Sequence, residues 1–383
     1  MKTAGGRRVV SAALTGVFVM TASSVAAADP GVAVTRVAAS PSATVATTGA
    51  RVAVRGTVTG GDREVRLQQL VGRTWRTVDE GQASGSFTLT VPTGRADVAT
   101  YRVLAPATDE LTAGASRSFR VGVGEGSGRS WAALTTPPVR WDPCTPIGYR
   151  VNLRGAPEGA LADVHHAVAQ ASAASGLKFR YLGTTSVVPG SSSTSAPSTY
   201  PADTALVVAF ATPSTSRFLG RGTDVLGVGG VFYDLHPAKV GRTTWHRAVQ
   251  GYVVLDAGRE LPGGFGTGSE KGVLGTRGQV LMHELGHALG LDHPTTGDQA
   301  QIMFHETTYK EARWGAGDLT GLRRLGATSG CFPEGKGAPT ASTRDAVRPG
   351  RGAPMFAGVG HVAQVGHVRA HESAARPVAS RQR

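Results

Sequence analysis

Residues 280–293 read VLMHELGHALGLDH, and this stretch organises the rest of the chain. His283 and His287 stand four residues apart, one helical turn, so two imidazoles share a face and can clasp a single ion. Gly290 follows, where a helix can end on a left-handed glycine and turn the chain back. His293 comes after that turn and can return to the same ion as a third nitrogen ligand. Three neutral imidazoles leave one position of a tetrahedral zinc open for water, as catalytic rather than structural sites do. Glu284 neighbours the first histidine and is placed to accept a proton from that water. The alternative is a solvated polar helix face, which needs neither a terminal glycine nor the surrounding Val280, Leu281, Met282, Leu285 and Leu289.

With these residues in view, HELGHALGLDH resembles the metzincin zinc peptidases, whose signature is HExxHxxGxxH. The surrounding chain is similar to their matrixin branch as it occurs in secreted bacterial proteins. The resemblance covers Val139 to Phe332 and implies an α+β catalytic domain: a mixed twisted sheet, a zinc-binding helix, a methionine turn and a C-terminal helix. It implies that Met303, in Gln301-Ile302-Met303-Phe304, floors the metal site, and that Gly317 to Leu322 opens the last helix. It also implies an edge strand that binds substrate by main-chain pairing. Val228, Gly229, Gly230 and Val231 are assigned that role, the other reading of these glycines being a bulge or turn. One catalytic Zn2+ is expected. Ca2+ is implied by the family without a local acidic cluster to hold it. A second zinc of the matrixin kind has only Asp234, His236 and His246 as candidate members. Pro294 and His305 depart from the matrixin pattern, so the clan is better marked than the branch. His305 is either a polar contact at the cleft or an exposed loop histidine.

The chain has 383 residues, room for two domains. Lys2, Arg7 and Arg8, an apolar run from Val9 to Met20 and small residues up to Ala28 make residues 1–28 a secretory signal peptide. Export predicts a secreted, extracellular protein. Cys144 and Cys331 are the chain's two cysteines, and an exported chain pairs them, here across the ends of the catalytic domain. Such a bridge is worth about 4–5 kcal/mol on the chain-entropy model. The alternative is a latency thiol at Cys144 of the matrixin propeptide kind, although WDPCTP is not that family's switch sequence.

Residues 30–123 carry short alternating apolar runs separated by Gly, Ser, Asp and Thr. They predict an all-β sandwich of about seven strands, resembling cysteine-free Ig-like modules. Residues 124–130 are rich in Gly and Ser and read as a flexible linker. The peptidase-like domain is set at 131–335, with a strand at 147–153, a helix from Pro157 to Gly176, and strands at 177–181, 205–210, 226–231 and 251–255 before the zinc helix. His165 and His166 fall within the first helix and are not read as ligands. Residues 336–383 hold eight Lys/Arg against two Asp/Glu, +6 of the formal net charge of +13. This tail lacks hydrophobic periodicity and is expected to be disordered. Its charge suits anionic cell-wall polymers or membrane lipid and argues against specific nucleic-acid binding.

Two function classes follow. The first is a secreted zinc endopeptidase, the better served by the residues because Glu284, Met303 and all three histidines are present; it acts on protein or peptide substrates as a monomer. The second is an extracellular binding or adhesion protein whose β-domain does the work beside a silent metal site.

Overall fold

The computed structural model describes residues 33–191, 200–221, 224–234, 236–268 and 275–333, and the backbone of 366–369. The expected signal peptide and most of the tail lie outside the described residues.

Residues 33–124 fold as seven strands: β1 Val37–Pro41, β2 Val45–Thr47, β3 Val52–Val71, β4 Thr74–Val91, β5 Asp97–Ala105, β6 Gly114–Ala115 and β7 Phe119–Gly124. Two of the short alternating runs of residues 30–123, 51–54 and 65–68, each of strand length on its own, are joined in one long strand β3 with an irregularity between Thr57 and Asp62. The first half of β3 pairs β1 and its second half pairs β5, while β4 runs antiparallel along both. All seven strands therefore join one hydrogen-bonded sheet rather than two separate ones. Alternating residues of these strands, among them Val54, Val65, Leu67, Leu89, Val103 and Val121, form its own core.

β8 Ala132–Ala133 and β9 Val139–Arg140 lead into β10 Ile147–Asn152, α1 Ala160–Ser175, β11 Phe179–Thr184, β12 Leu206–Ala211, β13 Val225–Tyr233, β14 Ala238–Val240 and β15 Thr243–Asp256. Then come α2 Arg277–Ala288, β16 Leu291–Asp292, α3 Ala316–Leu325 and β17 Gly366–Arg369. The main sheet is ordered β11-β10-β12-β15-β13-β17. Its first four strands are parallel, and β13 is antiparallel to β15. β12 has a parallel neighbour on each side and is buried throughout, which explains its unbroken run Leu206-Val207-Val208-Ala209-Phe210-Ala211.

The three helices and the sheet enclose a second core, with Val151, Val164, Val208, Val253, Leu281, Leu285 and Leu322 among its members. Val45 and Val98 of the first unit pack against it. Residues 124–130, expected to be a flexible linker, are instead docked. The Glu125 carbonyl accepts from Ala316 N at 2.8 Å, Ser127 N donates to Asp298 at 2.9 Å, and Ser130 is buried. Glycine serves here because a Cβ on Gly126 would fall 2.5–2.8 Å from atoms of Gln301, Asp298 and Ala300, leaving no space for a side chain. Cys144 and Cys331 are disulfide-bonded, with Cα atoms 5.5 Å apart. The tail, expected to lack structure, contributes β17, which pairs antiparallel with β13. Backbone pairing onto an open sheet edge needs no hydrophobic periodicity, so composition did not mark it.

Candidate metal centre

α2 is buried along its whole length. Thr276 caps its start by accepting from Gln279 N, and the Arg277 guanidinium pairs with Asp163 of α1 at 2.6 Å, fixing the helix against its neighbour. The other end stops at Leu289, and Gly290 adopts φ +99° with the Val139 carbonyl pressed where a Cβ would stand. That turn reverses the chain into β16 and delivers His293 back to the helix.

The Nε2 atoms of His283, His287 and His293 lie 3.1, 3.1 and 3.2 Å from one another. The Nδ1 atom of His283 donates to the Ile302 carbonyl at 2.7 Å, and that of His287 donates to the Leu291 carbonyl at 2.8 Å. Those bonds place the ring protons on Nδ1 and leave the Nε2 lone pairs of His283 and His287 aimed at each other. Two lone pairs at that distance repel unless a cation lies between them. The separations suit the donor set of a tetrahedral zinc, whose nitrogens at about 2.0–2.1 Å from the ion stand about 3.3–3.4 Å apart. The residues present therefore fit the expected ion, and the two carbonyls supply the outer hydrogen bonds that orient ligating imidazoles.

Glu284 is fully buried on the same helix. β13 runs across it: a Cβ on Gly229 would fall 2.0 Å from the Glu284 carbonyl oxygen, and one on Gly227 would lie 3.1 Å from its Oε1. The glycines thus allow a strand to pass against the helix; towards β15 they form neither a turn nor a bulge, since that pairing is regular from Gly227 to Phe232, while towards β17 the register shifts between Val225 and Gly227. Val228 and Val231 are buried in this strand with Gly229 and Gly230.

Met303 is buried, and its Sδ occupies the space a side chain on Gly286 would need, 2.2 Å from the ideal Cβ position. The sulfur therefore packs against α2 at Gly286, three residues after His283 and one before His287. Asp318, at the start of α3, accepts from Ile302 N at 2.6 Å, Met303 N at 3.3 Å and Gly315 N at 2.9 Å. Gln301 Oε1 in turn accepts from the Gly317 and Asp318 amides. Burial pushes the Asp318 carboxyl up to about 7, against the three amide donors that favour its ionised form. The family resemblance puts Asp318 in the last helix but does not reveal this clamp; an acid in a helix's first turn is the available sign.

Other candidates fall away from the centre. His305 is exposed, with its ring 6.2 Å from that of His293. His246 Nδ1 bonds the Asp234 carbonyl and His236 pairs with the Asp234 carboxylate, and these residues do not form a joint ligand set among the described residues. His165 bonds the Tyr149 hydroxyl at 2.7 Å and His166 approaches Gln170. Asp142 lies near both cysteines, but their sulfurs are committed to the disulfide.

Residues 249–318, from β15 through α2 to the start of α3, match the family model of peptidase M66. That match supports a protease of the metallopeptidase kind, with a metal cofactor and protein or peptide substrates. No curated protein matches the chain. Among solved structures, one from work on T cell specificity and activation by the bacterial superantigen toxic shock syndrome toxin-1 matches at 12% identity. It covers 23% of this chain and 97% of that one with a TM-score of 0.20, a likeness too slight to argue from.

Proposed function

We propose that the chain is a secreted zinc endopeptidase of the metzincin clan, with His283, His287 and His293 as ligands and Glu284 as general base. The observation that carries this is the convergence of three Nε2 atoms at 3.1–3.2 Å, two of them held as acceptors by carbonyls. Further support comes from Met303 beneath α2 and from a sheet whose last domain strand, β13, is antiparallel and passes over Glu284. The basic and apolar N-terminus supports export.

Zinc in this site would supply Lewis acidity and lower the pKa of a coordinated water towards about 7. The chain's own residues do the rest. An extended peptide pairs through its main chain with the outer edge of β13, which sets the scissile carbonyl beside α2. Glu284 takes a proton from the attacking water and returns it to the leaving amine. The buried surroundings of Glu284 keep bulk water from competing for that proton. The test is removal and return of the metal. Protein as purified should hold one zinc; a chelator should abolish cleavage of a mixed quenched-peptide library, and added zinc should restore it. Cleavage that survives complete zinc removal would overturn the assignment.

A further inference from the structure

β13 is paired on both sides, by β15 within the domain and by β17 from the C-terminal tail. The register sets Arg369 opposite Val225, Val368 opposite Gly227, His367 opposite Val228 and Gly366 opposite Gly229. β13 residues Gly227 and Gly229 are those packed on Glu284, so the tail backbone runs one strand spacing, about 4.8 Å, from the strand that covers the general base. β17 also lies against α2 itself. An incoming extended peptide would have to hydrogen-bond the same backbone groups of β13, and an edge can pair with one strand at a time.

We infer that residues Gly366–Arg369 are an intramolecular occupant of the peptide-binding edge, so that the tail holds the cleft closed until it is released or removed. The inference rests on the reading of β13 as the strand that binds substrate. It gives the tail a purpose that its composition leaves open: 32 residues, 334–365, separate Pro333 from the strand, enough chain to reach back from the end of the domain to β13.

The test uses the full chain carrying Glu284→Ala, so that nothing is consumed, with and without the pair His367→Pro and Val368→Pro. Successive amides of a strand point to opposite sides, so this pair removes whichever of the two faces β13. The probe is a fluorescent synthetic peptide of residues 362–373. If the tail occupies the edge in nine molecules of ten, the probe should bind the proline chain about tenfold more tightly than the intact one. Amides of Val225–Gly229 should exchange more slowly in the intact chain. Equal probe affinity, or equal exchange, would overturn the inference. With Glu284 restored, the proline chain should cleave dilute peptide faster by the same factor. Absence of cleavage in both chains while probe affinity still differs would sink the peptidase reading and leave the occupancy of β13 standing.

Discussion

At Gly229 the distance between strand and helix is set by the absence of one carbon. The atom its Cβ would meet is a backbone oxygen of Glu284 at 2.0 Å, which cannot rotate away as a side chain can. Gly229→Ala must therefore lift β13 from α2 and shift Glu284, the proposed general base. We expect a loss of about 1–3 kcal/mol from overpacking, and a fall in kcat/KM of about a hundredfold, since misplacement by about 1 Å is enough for that. Thermal unfolding and peptide turnover check the two effects separately. Single residues were also where the sequence was most readable. The convergence of the three histidines, with Glu284 buried beside them, is marked in the sequence by helical spacing and a glycine turn. The carbonyls of Ile302 and Leu291 that set the histidine tautomers were not readable, because any residue supplies a carbonyl and only the fold says which one is near.

Among elements, the turn bearing Met303 is held by α3 rather than by its own sequence. Asp318 gathers the amides of Ile302, Met303 and Gly315 in a fully buried place. Because its carboxyl is pushed up to about 7, above the usual value of about 3.9 in an unfolded chain, the folded state retains a proton there that the unfolded state releases. The stability this group contributes is full below about pH 4 and is lost as the pH rises through about 7. Asp318→Asn, which cannot titrate, should flatten that part of the profile; melting temperatures of both proteins between pH 4 and 8 check it. The helices and strands of this region were legible from periodicity, as α1 ending at Gly176 and the apolar β12 illustrate. Long strands were not. β3 looked like two strands because its apolar pattern lapses at Gly60 and Gly61, where the chain bends but the pairing with β4 resumes.

For the whole molecule, the Cys144–Cys331 bridge spans 187 residues of sequence and ties the start of the second unit to its end. Converting both to serine should cost about 5 kcal/mol on the chain-entropy model, measured as a lower denaturant midpoint without loss of zinc. The two units are joined through docked rather than loose chain, with Arg313 also donating to the Ala96 carbonyl across them at 3.2 Å. Composition could not reveal this, since glycine and serine suit a flexible linker and a tightly packed crossing alike. It likewise could not place β17, a backbone partner whose position depends on an edge formed far away in sequence.

The proposed role of Glu284 beside a zinc held by three histidines is measured most directly as peptide turnover by zinc-loaded chain and zinc-loaded Glu284→Ala chain, both carrying the two tail prolines. Turnover in the first, lower in the second by a factor of about a thousand or more at equal zinc content, is the predicted result. Equal turnover in the two, or none in either with one zinc bound, would contradict it.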